Sequence, residues 1–202
     1  MTRGKITIYG DSASGNCLKI RYVAEKLGIA FDWIESSVMA RATRTEAFLK
    51  LNPAGQVPVV VLEDGRVLAQ SGAIIWYLAE GSALIPADAF AHAQMLQWMF
   101  WEQYSHEPVI AVRRFKKFFL KLPDAEIDPV LLTKGEAVLG LMDRHLTGSA
   151  GYFVGASLTL ADIALVAYTR LAHEGGFDLL AYSSVRAWIG RVESDLGLCA
   201  TI

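Results

Sequence analysis

The chain is read outward from Ile6-Thr7-Ile8-Tyr9-Gly10-Asp11-Ser12-Ala13-Ser14-Gly15-Asn16-Cys17. The first five residues alternate well enough for a short strand, and Gly10, Asp11, Ser12 and Gly15 are loop formers. From about Asn16, the residues Leu18, Ile20, Val23, Ala24 and Leu27 recur at helical spacing, and Gly28 ends the pattern. A strand therefore runs through a loop into a helix. The first backbone N–H groups of a helix have no partner within it, and its N-terminal dipole end is positive, so small polar side chains there can hold an anion. If that anion is a thiolate, Ser14 can donate its hydroxyl hydrogen and Asn16 its amide, with Ser12 as an alternative hydroxyl. Capping of the helix is the other use for the same residues.

Composition narrows the classes. The sequence has 202 residues, enough for one or two domains, and 53% hydrophobic residues, enough for a sizeable core. A net charge of -2 gives no reason to expect a nucleic-acid partner. Two cysteines, Cys17 and Cys199, do not make a disulfide scaffold and fit a reducing compartment. The apolar run 6–9 is far too short for a secretory signal. The most apolar helical stretch, 160–172, carries Asp162 and Arg170, so no segment is expected to span a membrane. The expectation is a soluble, cytoplasmic protein.

The first eighty residues alternate strand and helix. Phe31-Asp32-Trp33-Ile34-Glu35 reads as a strand, 36–45 as a loop, and 46–51 as a short helix stopped by Asn52-Pro53. Val57-Pro58-Val59-Val60-Val61-Leu62 and Arg66-Val67-Leu68 flank Asp64-Gly65, a hairpin signal predicting a tight two-residue turn. Ser71 stands where an N-cap belongs, ahead of Ala73, Ile74, Ile75, Tyr77 and Leu78. The order predicts a small mixed sheet flanked by helices. Pro58 heads a β-branched run and removes a ladder donor. A cis Val57–Pro58 bond resolves this by turning the backbone of Val57 outward; a trans proline at a strand start is the alternative.

Three motifs now stand in order and at characteristic spacing: Ser14-Gly15-Asn16-Cys17-Leu18-Lys19, Asn52-Pro53-Ala54-Gly55-Gln56-Val57-Pro58 and Gln70-Ser71-Gly72-Ala73-Ile74. With them, residues 5–80 resemble the thioredoxin-like domain of cytosolic glutathione transferases, in particular the serine-type bacterial and theta-like members. The resemblance implies that Ser14 is the hydroxyl that activates the glutathione thiol. Ser14 falls where the broader superfamily carries the attacking cysteine of a redox pair, so dithiol chemistry is not expected, and Cys17 reads as a helix-face packing residue rather than a nucleophile.

Glutathione offers two carboxylates, one ammonium and one thiol, and the remaining motif residues suit them. Ser71, at a helix start, can take the γ-glutamyl carboxylate through its hydroxyl and the free N–H groups behind it. Gln70 can accept from the ammonium, where many relatives carry an acidic residue. Val57, beside Pro58, can pair its backbone with the cysteinyl unit as a strand of a miniature sheet. Gln56 and Arg44 can reach the glycyl carboxylate; a solvated loop charge is the other reading of Arg44.

A small-residue stretch at 81–87, ending near Pro86, reads as a linker between a domain over 1–80 and a helical domain over 88–202. A long helix is expected over 88–120, kinked at Pro108. A second is expected over 129–146, opened by Pro129, and a last one over 184–194. Thr159-Leu160-Ala161-Asp162 opens a third in sequence order as a capping-box variant, with Leu158 and Ile163 as its hydrophobic staple. That capped helix recurs in the glutathione transferase second domain, which extends the resemblance over nearly the whole chain. The implied architecture is an α+β thioredoxin-like domain with a mixed four-stranded sheet, followed by an all-α domain.

In the family the long helix lines the electrophile pocket, which makes Tyr104 and His106 candidates to donate to a developing charge and to relay a proton; a packed aromatic and a satisfied histidine are the alternatives. Arg113-Arg114-Phe115-Lys116-Lys117 reads as a solvated face. Glu102 and His106 form an i,i+4 pair without a third ligand, so no metal is expected. The implied function is transfer of the glutathione thiolate to small, mostly apolar electrophiles, with glutathione as cosubstrate and no other cofactor. A glutathione-dependent peroxidase or disulfide reductase and a non-catalytic binding or stress scaffold are the alternatives. In relatives the helices corresponding to 73–78 and 91–101 pair across a two-fold axis, which implies a homodimer.

Overall fold

The computed structural model describes residues 4–201. The chain divides after Ser82 into two compact units. The first holds a four-stranded sheet of order β2-β1-β3-β4, made of β1 (Ile6–Gly10), β2 (Phe31–Glu35), β3 (Val59–Val61) and β4 (Val67–Ala69). β1 pairs with β2 in parallel and with β3 antiparallel, and β3 pairs with β4 antiparallel. The parallel pair needs a crossover, which α1 (Gly15–Lys26) supplies. α2 (Glu46–Leu51) and α3 (Ser71–Ala79) complete the unit. Its core joins Ile6, Ile8, Val59 and Val60 of the sheet to Ile20 and Val23 of α1 and to Ile74, Ile75 and Leu78 of α3, all buried. This is the expected mixed four-stranded sheet with helices.

Two local expectations change. The hairpin turn is longer than two residues: Gly65 N–H donates to Leu62 O, and Leu62 N–H donates to Arg66 O, so three residues lie between the paired ends. Gly65 has φ +83°, the left-handed residue that closes a three-residue hairpin. Ser71 is the first residue of α3 rather than its cap; the cap position belongs to Gln70, whose φ of 72° is uncommon for a residue with a side chain.

The second unit is helical, as expected. α4 (Ala89–Trp101), capped by Asp88, continues through a π turn (Glu102–His106), α5 (Glu107–Arg114) and a second π turn (Phe115–Phe119). The 88–120 segment is thus one helical path whose interruption at Pro108 takes the form of a π turn just before it: Glu107 N–H donates to Glu102 O, one residue further back than in an α-helix. α6 (Pro129–Thr147), α7 (Leu160–Thr169) and α8 (Ser183–Leu196) follow. Every residue of α7 is buried, which makes it the axis of the unit. The capping box at its start is present, and Asp162 does more than cap. Its Oδ2 accepts from Thr159 N–H and Oγ1, while its Oδ1 accepts from Phe153 N–H and Trp188 Nε1.

The basic run 113–117 is not a solvated face. Arg113 and Arg114 are buried, Arg113 Nη2 lies 2.8 Å from Asp124 Oδ1, and Arg114 Nε pairs with Glu174. A guanidinium can enter a packed region when a carboxylate meets it, and both partners come from outside the helix. Among the described residues no helix is long and apolar enough to cross a membrane, and no three His, Cys, Asp or Glu side chains converge as a metal site would require.

Candidate functional site

The sheet register brings three separated stretches to one end of the first unit. Tyr9 lies opposite Val59, and Val59 lies opposite Ala69. Extending each ladder by one residue places Gly10 and the loop after it, Pro58 before β3, and Gln70 after β4 side by side. Every polar residue expected at the thiol lies on these stretches or in the first turn of α1.

The loop 11–14 is held from several sides. Asp11 Oδ1 accepts from Ala13 N–H at 3.0 Å and its Oδ2 from Val38 N–H at 2.9 Å. Ser14 N–H donates to Asp11 O, and Ser36 N–H to Gly10 O. Glu35 accepts from Ser12 N–H (3.0 Å) and from Trp33 Nε1 (2.9 Å). Burial pushes the Glu35 carboxyl up, but the bonds from Trp33 and Ser12 outweigh it, and it is held below the usual carboxylate range. A side chain on Gly10 would come within 2.6 Å of the Trp33 ring, so glycine is needed where the loop leaves the sheet.

Ser14 occupies the N-cap position of α1 with an extended backbone, yet its hydroxyl caps no backbone N–H. The Cys17 sulfur, one turn further into the helix, accepts from Asp11 N–H at 3.3 Å. Cys17 is fully buried, and burial pushes its thiol up to about 11. It is therefore a neutral packing thiol at physiological pH and not a nucleophile. Asn16 Oδ1 accepts from two donors, Lys19 Nζ at 2.8 Å and Ser71 Oγ at 3.0 Å, which ties the first turn of α1 to the first turn of α3.

Val57–Pro58 is cis. The loop before it is shaped by Asn52, which accepts from Ala54 N–H and donates through Nδ2 to Gln56 O at 2.7 Å. Gln56 is exposed, and Arg44 reaches only the Ala54 carbonyl, at 3.4 Å, lying along this loop. Ser14, Asn16, Val57, Pro58, Gln70 and Ser71 are thus gathered at one end of the sheet, with Arg44 and Gln56 on the adjoining loop. Ser71 differs from expectation in one respect: its single hydroxyl hydrogen is directed to Asn16, which leaves the opening N–H groups of α3 to face an anion. Asp11, Glu35, Asn52 and Lys19 were not singled out in the sequence. The Asx-turn potential of Asp11 and Asn52 was a readable signal, whereas Glu35 and Lys19 carried none.

The two residues expected to serve the electrophile are not brought together. His106 is 0% exposed. Its Nε2 lies 2.9 Å from Thr169 Oγ1, whose own hydrogen goes to Leu165 O, so Nε2 is the donor. Its Nδ1 faces buried Glu102 at 4.0 Å. His106 is thus a packed histidine, inaccessible as a proton relay to solvent. Tyr104 is 87% exposed and lines a groove of about 490 Å³ with Trp101, Pro108, Lys134 and Leu141. Two residues apart, about half a turn, they lie on opposite faces of the helix.

Comparison with known proteins places this geometry in a family. The model of the glutathione S-transferase N-terminal domain matches residues 13–80, and that of the C-terminal domain matches residues 91–195. A crystal structure of a glutathione S-transferase from Pseudomonas fluorescens is 44% identical, with a TM-score of 0.90 and 94% of each chain covered. One from Xanthobacter autotrophicus is 43% identical, with a TM-score of 0.88 over 94% of this chain and 93% of the other. Elongation factor 1-gamma 3 of Oryza sativa subsp. japonica is 28% identical over 167 residues, 79% of this chain; the match spans only 39% of that relative's length. The chain belongs to the glutathione S-transferase family.

Proposed function

We propose that the protein is a glutathione transferase that binds glutathione at the end of the sheet and delivers its thiolate to small, mostly apolar electrophiles. The observation that carries the reading is the convergence of the Ser14 loop, cis-Pro58 and the start of α3 at one end of the sheet. The Ser71 and Gly72 N–H groups, at the positive end of a nine-residue helix, receive the γ-glutamyl carboxylate. Gln70 accepts from the ammonium, and Val57 pairs its backbone with the cysteinyl unit. Gln56 and Arg44 lie toward the glycyl end. The sulfur then rests against Ser14 and Asn16. Its lone pair forms the new C–S bond as the electrophile's leaving group departs or its π bond takes up the electron pair. The reaction needs no metal or prosthetic group. A cytoplasmic homodimer acting in detoxification is the setting this reading gives.

The likeness to elongation factor 1-gamma 3 supports a second reading in which the fold serves as a non-catalytic binding module. Turnover separates the two. Calorimetry with glutathione, followed by a rate assay with a nitroaryl halide, is expected to give both binding and conjugation; binding without turnover on any electrophile, peroxide or disulfide favours the module. Ser71→Ala removes a donor to Asn16 at the start of α3. The backbone N–H groups that face the γ-glutamyl carboxylate remain, so the dissociation constant for glutathione is expected to change by less than about threefold. A weakening of tenfold or more shows instead that the Ser71 hydroxyl turns from Asn16 to the carboxylate when glutathione binds.

A further inference from the structure

Lys19 is 1% exposed although it carries an ammonium. It sits one turn into α1, and its Nζ lies 2.8 Å from Asn16 Oδ1, the atom that also accepts from Ser71 Oγ. Burying a lysine is costly and needs a return in specific bonding. An ammonium has three donors and no acceptor, so Asn16 can meet it only with its oxygen. That settles which end of the carboxamide points inward. The amide nitrogen is turned the other way, and its N–H bonds are polarised by the cation on the oxygen of the same group.

We propose that Lys19 is a positioning residue for thiol activation: its ammonium, with the Ser71 hydroxyl, locks the Asn16 carboxamide so that Asn16 donates to the bound sulfur. The inference rests on the glutathione reading and adds to it the group that makes Asn16 a donor rather than an acceptor at that point. Without Lys19, the Asn16 amide can turn over and present its oxygen to a thiolate, which repels it. The other titratable groups on the elements around this point are Cys17, Arg21, Tyr22, Glu25 and Lys26 on α1, Asp11 before it, Tyr9 on β1, Glu35 on β2 and Tyr77 on α3. Glu35 is held by Trp33 and Ser12, and Arg21 stacks on the Trp33 ring at 4.1 Å. Asp11 is taken up by Ala13 and Val38.

The test is the pH profile of kcat/KM for glutathione conjugation in Lys19→Met, whose side chain matches lysine in length but has no charge and no donor. The apparent pKa of the bound thiol is expected to rise by about half to one unit, which lowers the rate at pH 7 by about three- to tenfold. Near wild-type rates should return at pH 9, and KM for glutathione should change little. Combined with Asn16→Ala, Lys19→Met is expected to add almost nothing, because it acts through Asn16. If Lys19→Met does not fold, Lys19→Gln is measured in its place and is expected to show the same direction of shift. A folded variant with the wild-type profile overturns the inference. So does an equal loss at pH 7 and pH 9, or a full additional loss in the Asn16→Ala background. A wild-type protein that binds no glutathione contradicts the proposed function and removes this inference with it; a wild type that binds and ionises it, beside an indifferent Lys19→Met, removes the inference alone.

Discussion

Ser14→Ala is expected to lower turnover with an electrophile at pH 7 by about tenfold or more, while the affinity for glutathione changes much less. A free cysteine-type thiol has a pKa near 8.5, so only a few per cent is thiolate at pH 7. A hydrogen bond to a charged acceptor is worth about 1.5–3 kcal/mol. One pKa unit is about 1.36 kcal/mol, so a bond of that size from Ser14 is expected to lower the thiol pKa by roughly one to two units. The Ser14 hydroxyl caps no backbone group of the helix it precedes. The start of α1 adds less than about 1 kcal/mol of dipole stabilisation. Much of the Ser14→Ala loss should be recovered at pH 9, where the thiol ionises unaided. A wild-type rate for Ser14→Ala at pH 7, beside a loss in Asn16→Ala or Ser12→Ala, assigns the activating role to another residue on the same loop.

The largest effect on stability is expected at Asp162. Asp162→Ala leaves Phe153 N–H, Thr159 N–H and Trp188 Nε1 without their acceptor in the core. Each such buried donor costs about 1–3 kcal/mol, against a total stability of about 5–15 kcal/mol. The three share one carboxylate and will not add fully, so a loss of about 4 kcal/mol is expected. In a chain of this size that lowers the thermal midpoint by roughly 10 °C or more. Burial pushes the Asp162 carboxyl up, and the four donors pull it back. Thermal melts of the two variants measure the effect. Asp162→Asn keeps one acceptor oxygen and should fall between wild type and alanine. A midpoint within a few degrees of wild type for Asp162→Ala would show that the network does not hold α7 in place.

Local pattern carried the expectations that rested on one element at a time. The strand Ile6–Gly10, the helix that follows it, and the box Thr159-x-x-Asp162 could be read because donor and acceptor, or apolar neighbours, lie within a few residues. What was missed depends on partners far along the chain. Arg114 looks like a surface charge until Glu174, 60 residues away, is brought to it, and His106 looks available until Thr169, 63 residues away, takes its Nε2. Lys19 differs: its acceptor Asn16 is three residues away, but a lysine on a helix reads as solvent-facing until the packing that buries it is known. The π turns left only an indirect trace, since Pro108 signals an interruption without saying that it is met by one extra residue in the turn before it. At the thiol site, the three motifs marked the right stretches, but the direction of the Ser71 hydroxyl is a property of the folded pair α1 and α3.

The account turns on the sulfur of bound glutathione being held as a thiolate at the start of α1. Its most direct test is the ultraviolet thiolate absorbance of glutathione titrated onto the wild-type protein across pH. The expected result is a saturable thiolate signal already strong at pH 7, with an apparent pKa one to two units below the free thiol value of about 8.5. Binding with an unshifted pKa, or no saturable signal at all, would contradict it.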